Sequence, residues 1–177
     1  TIALESGVTS IDELKSQSFD GNGMTIGDKV LEMVGKIGEK IDVSALDVIE
    51  ADTVVAYNHP GNQVASLVGL SVEGKSEVGR DVAMQIAAMA PVAIDQDGVS
   101  QDIIDKEIEI GKDLARQEGK PEEMLEKIAM GKLNKFFKEN TLLNQAFIKE
   151  NKKSVGQYLK EVDSNLTVTA FKRHALS

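Results

Sequence analysis

With 177 residues, 29 acidic against 20 basic side chains and a net charge of −9, the chain suits one large or two small domains and argues against general attraction to a nucleic-acid backbone, leaving room for a local basic patch. Folding at this length buries roughly 70% of the surface of the unfolded chain, so the core stands without staples. The absence of cysteine excludes disulfides, thiolate metal sites and cysteine nucleophiles, and fits a reducing compartment, the cytoplasm by default.

The chain opens at Thr1-Ile2-Ala3-Leu4-Glu5, without an initiator methionine and with the look of a helix end, which fits a chain whose upstream region has been removed. Ser10-Ile11-Asp12-Glu13 has capping-box spacing and starts a short helix ending near Phe19. After the loop Asp20-Gly21-Asn22-Gly23, Thr25 opens a second helix with Ile26, Val30, Leu31, Val34 and Ile37 on one face. Gly35 and Gly38 weaken its end. From Ile41 the apolar positions shift from odd to even, as expected of a bulged edge strand. Thr53–Tyr57 and Gln63–Leu70 then read as a hairpin with His59 at its tip, and Ser76 caps a helix that Pro91 ends.

Beyond a linker at 95–99, Ser100 is the expected cap of a long helix that stops at Gly119, and Pro121-Glu122-Glu123 starts the return arm of an antiparallel helical hairpin. Ile110, Met124 and Phe137 lie off its seam, so the hairpin is expected to dock on something else, a second subunit being one candidate. Ser154-Val155-Gly156-Gln157 is a further capping box, and the alternation over 166–172 is a closing strand. The sum is an α+β fold: an antiparallel sheet from strands near 41–57, 63–71 and 166–172, covered by helices, with the helical hairpin 100–137 inserted. The expected domains are a helical subdomain over 1–40 and a second core subdomain over 41–177.

Chemistry is sparse. Gly21-x-Gly23-x-x-x-Gly27 lacks both the spacing and the preceding apolar strand of a dinucleotide-binding turn. Asp95-x-Asp97-Gly98 begins like a calcium loop, but its glycine sits at the fourth position and Lys106 occupies the twelfth. His59 and His174 have no ligand-type neighbours in sequence, and neither a G-x-S-x-G elbow nor an H-E-x-x-H pair occurs. No catalytic residue, metal ligand or cofactor is therefore expected; nothing reads as a membrane span or a direct nucleic-acid binder. On residues alone His59 reads as a turn histidine bonded locally or as a partner contact, within an α+β interaction domain.

Several segments occur in a telling order: Lys36-Ile37-Gly38-Glu39, Ala56-Tyr57-Asn58-His59-Pro60-Gly61, Asp81-Val82-Ala83-Met84-Gln85-Ile86-Ala87-Ala88-Met89-Ala90-Pro91, Gly119-Lys120-Pro121, Leu142-Leu143-Asn144-Gln145-Ala146-Phe147 and Ser154-Val155-Gly156-Gln157-Tyr158-Leu159. Together they resemble the bacterial translation elongation factor Ts family over essentially the whole chain. The resemblance implies a guanine-nucleotide exchange factor, not an enzyme. Such a factor binds elongation factor Tu in its GDP-bound and nucleotide-free forms, loosens its magnesium and phosphate contacts, and lets GDP leave. It further implies partner contacts at Ile37, Gly38 and His59, and subunit contacts for the hairpin. Gln63-Val64-Ala65 and Asn140-Thr141 depart from the commoner family residues. The family's N-terminal helical module and T-D-F-V motif are not among the 177 residues, so weakened exchange by a truncated fragment is expected. A dimerisation or scaffold module without exchange activity is the alternative.

Overall fold

The computed structural model describes residues 1–176, which divide into two compact units, Thr1–Val48 and the part from Ile49 onward. The first unit holds α1 (Ile2–Ser6), α2 (Ile11–Ser16) and α3 (Ile26–Ile37). Both expected caps form: Ser10 and Glu13 bond each other's backbone N–H groups, as do Thr25 and Asp28. The Thr9 backbone N–H, with the Ser10 hydroxyl, holds the Glu13 carboxyl below its ordinary range. α2 stops at Ser16, short of Phe19, because Phe19 N–H instead bonds Met24 O at 2.8 Å and closes the glycine-rich loop. The Phe19 ring then lies 5.4 Å from Lys29 Nζ.

The edge strand expected near 41–48 does not form. Residues 38–52 carry no ladder, and local side chains serve this segment instead: Asp42 Oδ1 accepts from Val43 N–H at 2.8 Å and pairs with Lys15 Nζ at 2.6 Å. Alternating apolar residues show which side of an extended segment is covered, not that a neighbouring strand exists.

In the second unit, β1 (Thr53–Asn58), β2 (Val64–Leu70) and β5 (Val168–Ala175) form an antiparallel sheet in the order β1-β2-β5. Tyr57 faces Ser66, and Ala65 faces His174. α4 (Ser76–Met89) lies across this sheet, with Val82, Ala83 and Ile86 fully buried. Contact is close at Gly79, where a Cβ would stand 2.6 Å from Val55 Cγ2. The cap differs from expectation: Lys75 holds the N-cap position and Ser76 is the first helical residue, while Ala90, in the left-handed region at φ 44°, ends the helix just before Pro91. The sheet and α4 share a core with Leu142, Phe147, Val155, Leu159, Leu166 and Val168.

After a 3₁₀ turn at Gln96–Gly98, α5 (Gln101–Gln117) and α6 (Glu122–Asn140) make the expected antiparallel hairpin. Small residues let the arms approach. A Cβ on Gly111 would lie 3.0 Å from Ala129 Cα, and Ala115 and Ala129 are fully buried. Lys112 bridges to Glu126 of the facing arm at 3.0 Å, which raises the lysine pKa. Ser100 takes the N-cap position without a side-chain bond, and Pro121 sits at the cap rather than inside the helix.

A small hairpin of β3 (Ala146–Phe147) and β4 (Glu150–Ser154) leads into α7 (Val155–Val162), whose Ser154–Gln157 capping box is present. Phe147 stacks on Tyr158 with ring centroids 4.2 Å apart. No helix among the described residues is long and apolar enough to cross a membrane, and no group of three or more His, Asp or Glu among them is placed to hold a metal ion.

Candidate partner-binding site

The hairpin tip is specified residue by residue. β1 hands over to the turn at His59, whose N–H bonds Val64 O at 2.8 Å, while Asn62 N–H returns to His59 O at 2.9 Å. Proline at the second position and glycine at the third, with φ 95° at Gly61, give a type II turn, in which the third residue must adopt positive φ. Asn62 also lies in the left-handed region, at φ 56°, and its side chain accepts from Asn58 Nδ2, tying the two ends of the loop together.

His59 is exposed on this tip but not loose. The Tyr57 hydroxyl lies 3.1 Å from His59 Nδ1, and the two rings meet edge to face with centroids 5.9 Å apart. The tyrosine thus orients the imidazole and engages Nδ1, leaving Nε2 pointing away from that bond. A partner surface meeting the tip would find a pre-set ring rather than a mobile one, which lowers the ordering cost of association. Both readings of His59 from sequence are therefore compatible with its geometry: it bonds locally and is still presented.

Ile37 and Gly38 close α3. Gly38 caps the helix at φ 79°, ψ 8°, its N–H bonding Val34 O at 2.9 Å, a conformation that glycine adopts without steric cost. The turn leaves Ile37 52% exposed, a large apolar side chain set out by the helix end. Glu32 pairs with both Lys29 and Lys36, and the hydrogen bond from Lys36 is the first cause of its lowered pKa. Ile37 and Gly38 belong to the first unit and His59 to the second, and each is defined by its own surroundings.

Tyr57 is the residue at this tip to which no motif assigns a role. Its place near the end of β1, two residues before His59, lets the two rings meet on one side of the chain as the strand runs into the turn.

A family model described as Elongation factor TS matches residues 1–177. The chain belongs to the elongation factor Ts family. It is 55% identical over 159 residues to Elongation factor Ts of Christiangramia forsetii, a match covering 89% of this chain and 58% of that relative. Against Elongation factor Ts of Flavobacterium psychrophilum it is 52% identical over 159 residues, covering 89% and 58%. Against that of Amoebophilus asiaticus it is 48% identical over 176 residues, covering 98% and 63%. The chain thus spans about three-fifths of the length of these elongation factor Ts relatives.

Proposed function

We infer that this chain supplies partner-facing surface of a guanine-nucleotide exchange factor acting on elongation factor Tu in translation elongation. Membership of the elongation factor Ts family over residues 1–177 carries the reading. The exposed, oriented His59 and the exposed Ile37 beside Gly38 support it as contacts, because each presents a defined side chain at little ordering cost.

Exchange on this reading needs no bond to be made or broken by the chain, so it is not an enzyme and uses no cofactor of its own. A catalyst of release binds the nucleotide-free partner more tightly than the GDP-bound one, and reciprocity requires GDP to weaken the chain's binding by the same factor. Each tenfold difference corresponds to about 1.4 kcal/mol. Without the T-D-F-V motif among its 177 residues, the chain binds the GTPase weakly and accelerates release weakly.

A pull-down with elongation factor Tu tests the binding half. The nucleotide-free GTPase is captured by the immobilised chain, and added GDP releases it in proportion to occupancy. Capture that is indifferent to GDP, or absent, contradicts the proposal.

A second reading, a dimerisation or scaffold module, is favoured by Ile110, Leu114, Met124 and Met130, all more than 40% exposed on the helical hairpin. Sedimentation that shows a stable dimer, together with no capture of the GTPase, selects it.

A further inference from the structure

The second unit carries a cleft of about 520 Å³ where the last turns of α6, the loop into β3, β4 and the start of α7 come together. Volumes of roughly 300–1,000 Å³ are those of small-ligand sites. The lining stands apart from the rest of an acidic chain. It includes Lys138, Lys152 and Lys153, five amide side chains, a serine and the Phe137 ring, and no aspartate or glutamate.

Which of these groups are already committed decides what the cleft can take. Lys153 is bridged by Glu150 at 2.9 Å and by Glu161, so its charge is spent. The first N–H groups of α7 are spent as well: Ser154 N–H goes to Gln157 Oε1, Val155 N–H to Gln145 O, Gly156 N–H to Leu143 O and Gln157 N–H to Ser154 Oγ. An anion therefore finds no free helix end here. Lys138 and Lys152, by contrast, make no ion pair among the described residues, and the Asn134 and Asn151 amides make no side-chain hydrogen bond there. Two free cations, two free amides able both to donate and accept, and a half-buried aromatic ring face one concavity.

We propose that this cleft binds a nucleotide, with the phosphate on Lys138 and Lys152, the base or ribose edge on Asn134 and Asn151, and the base plane against Phe137. The chemistry favours a nucleotide over a bare anion because a ring and the acceptor oxygens of the amides add nothing for inorganic phosphate, and over an apolar ligand because the walls are polar. A net charge of −9 opposes diffuse polyanion binding, so recognition has to be local and, with two lysines, moderately salt-dependent. The source is a free mononucleotide or one unit of a single-stranded RNA, which share this chemistry. The site uses none of Ile37, Gly38 and His59 and stands or falls independently of the exchange reading.

The test titrates the 177-residue chain at low salt with guanosine monophosphate, with a fluorescein-labelled single-stranded RNA decamer and with inorganic phosphate. Backbone amide resonances of Phe137 and Gln157, which no variant replaces, and fluorescence anisotropy of the decamer are the readouts. Saturable binding of the mononucleotide or the decamer is expected, weakened at least tenfold in K138E/K152E and at least threefold in N134A/N151A. K106E/K127E changes net charge equally at exposed lysines away from the cleft, and should stay within twofold of the parent. Equal affinity for mononucleotide and decamer assigns the free nucleotide as source, and binding of the decamer alone assigns the strand. The proposal is overturned if neither binds, if both lysine double variants weaken binding alike, or if inorganic phosphate binds as tightly as the nucleotide. Unchanged thermal midpoints, expected for exposed lysines and amides, separate these outcomes from misfolding.

Discussion

Tyr57 and His59 show how a short stretch of chain holds an exposed ring in place. Two positive-φ residues, Gly61 and Asn62, fold the loop back, and the tyrosine hydroxyl 3.1 Å from Nδ1 holds the ring. Because His59 is exposed and, among the described residues, bonded to its own hairpin, His59→Ala should lower exchange several-fold in a full-length elongation factor Ts carrying this tip. Its thermal midpoint should hardly move, since surface truncations usually stay within about 0.5 kcal/mol. A large loss of stability instead would return His59 to a structural role. Tyr158 makes the opposite case, a ring used for the core. Burial, then Asp81, whose Oδ2 accepts its hydroxyl at 3.1 Å, push the phenol from its ordinary 10.0 to about 12. The folded state keeps a proton that the unfolded chain loses first, so this stabilisation is intact below pH 10 and lost as pH rises toward about 12. Unfolding midpoints measured across that range should fall in the parent and fall less steeply in Tyr158→Phe. Parallel curves would show that Tyr158 does not govern the alkaline limb.

At the scale of elements, α4 is fastened to the β3–β4 end of the unit by a buried amide clamp. Gln85 Nε2 donates to Gln145 Oε1 and to Ala146 O, each at 3.1 Å, and Gln85 Oε1 accepts from Ile148 N–H at 2.9 Å. Gln145 in turn reaches Met89 O and Glu139 O. Replacing Gln85 by leucine leaves one donor and two acceptors unmatched, and the fully buried one, Gln145 Oε1, costs about 1–3 kcal/mol. Chemical denaturation should register a loss of at least one such unit, and no change would mean that water replaces the amide. The clamp joins residues 60 apart in sequence, so no local pattern announces it. The parts legible in the sequence are those governed by short-range rules: the capping boxes at Ser10 and Ser154, the Asn58–Asn62 turn chemistry and the helical hairpin with its Gly119 stop. The β3–β4 hairpin was not, because Glu150-Asn151-Lys152-Lys153-Ser154 has no apolar alternation and earns its pairing from Ala146 and Phe147 across the turn. The segment 41–48 misled in the other direction, having the alternation without the partner strand. For the candidate site, Ile37 and Gly38 came from the resemblance alone, and for His59 the residues left a local turn role and a partner contact both open, since exposure and a turn do not by themselves name a partner.

Across the whole molecule, an antiparallel sheet under α4, an inserted helical hairpin and a separate helical unit make an α+β chain of the elongation factor Ts family. On the proposed function, the chain works by differential binding: tighter to the nucleotide-free GTPase than to the GDP form, with the difference setting how far release can be driven. The family relatives run well beyond the matched region, 58% of the Christiangramia forsetii protein being covered, so the comparison that matters is between this chain and such a relative. Release of a fluorescent GDP from elongation factor Tu, followed with no factor, with the 177-residue chain and with that full-length relative, tests the central claim most directly. The account predicts acceleration above the spontaneous rate by the chain, well below that of the relative. No acceleration together with no competition against the relative would contradict the exchange reading, and acceleration equal to the relative's would contradict the assignment of the missing power to the T-D-F-V motif.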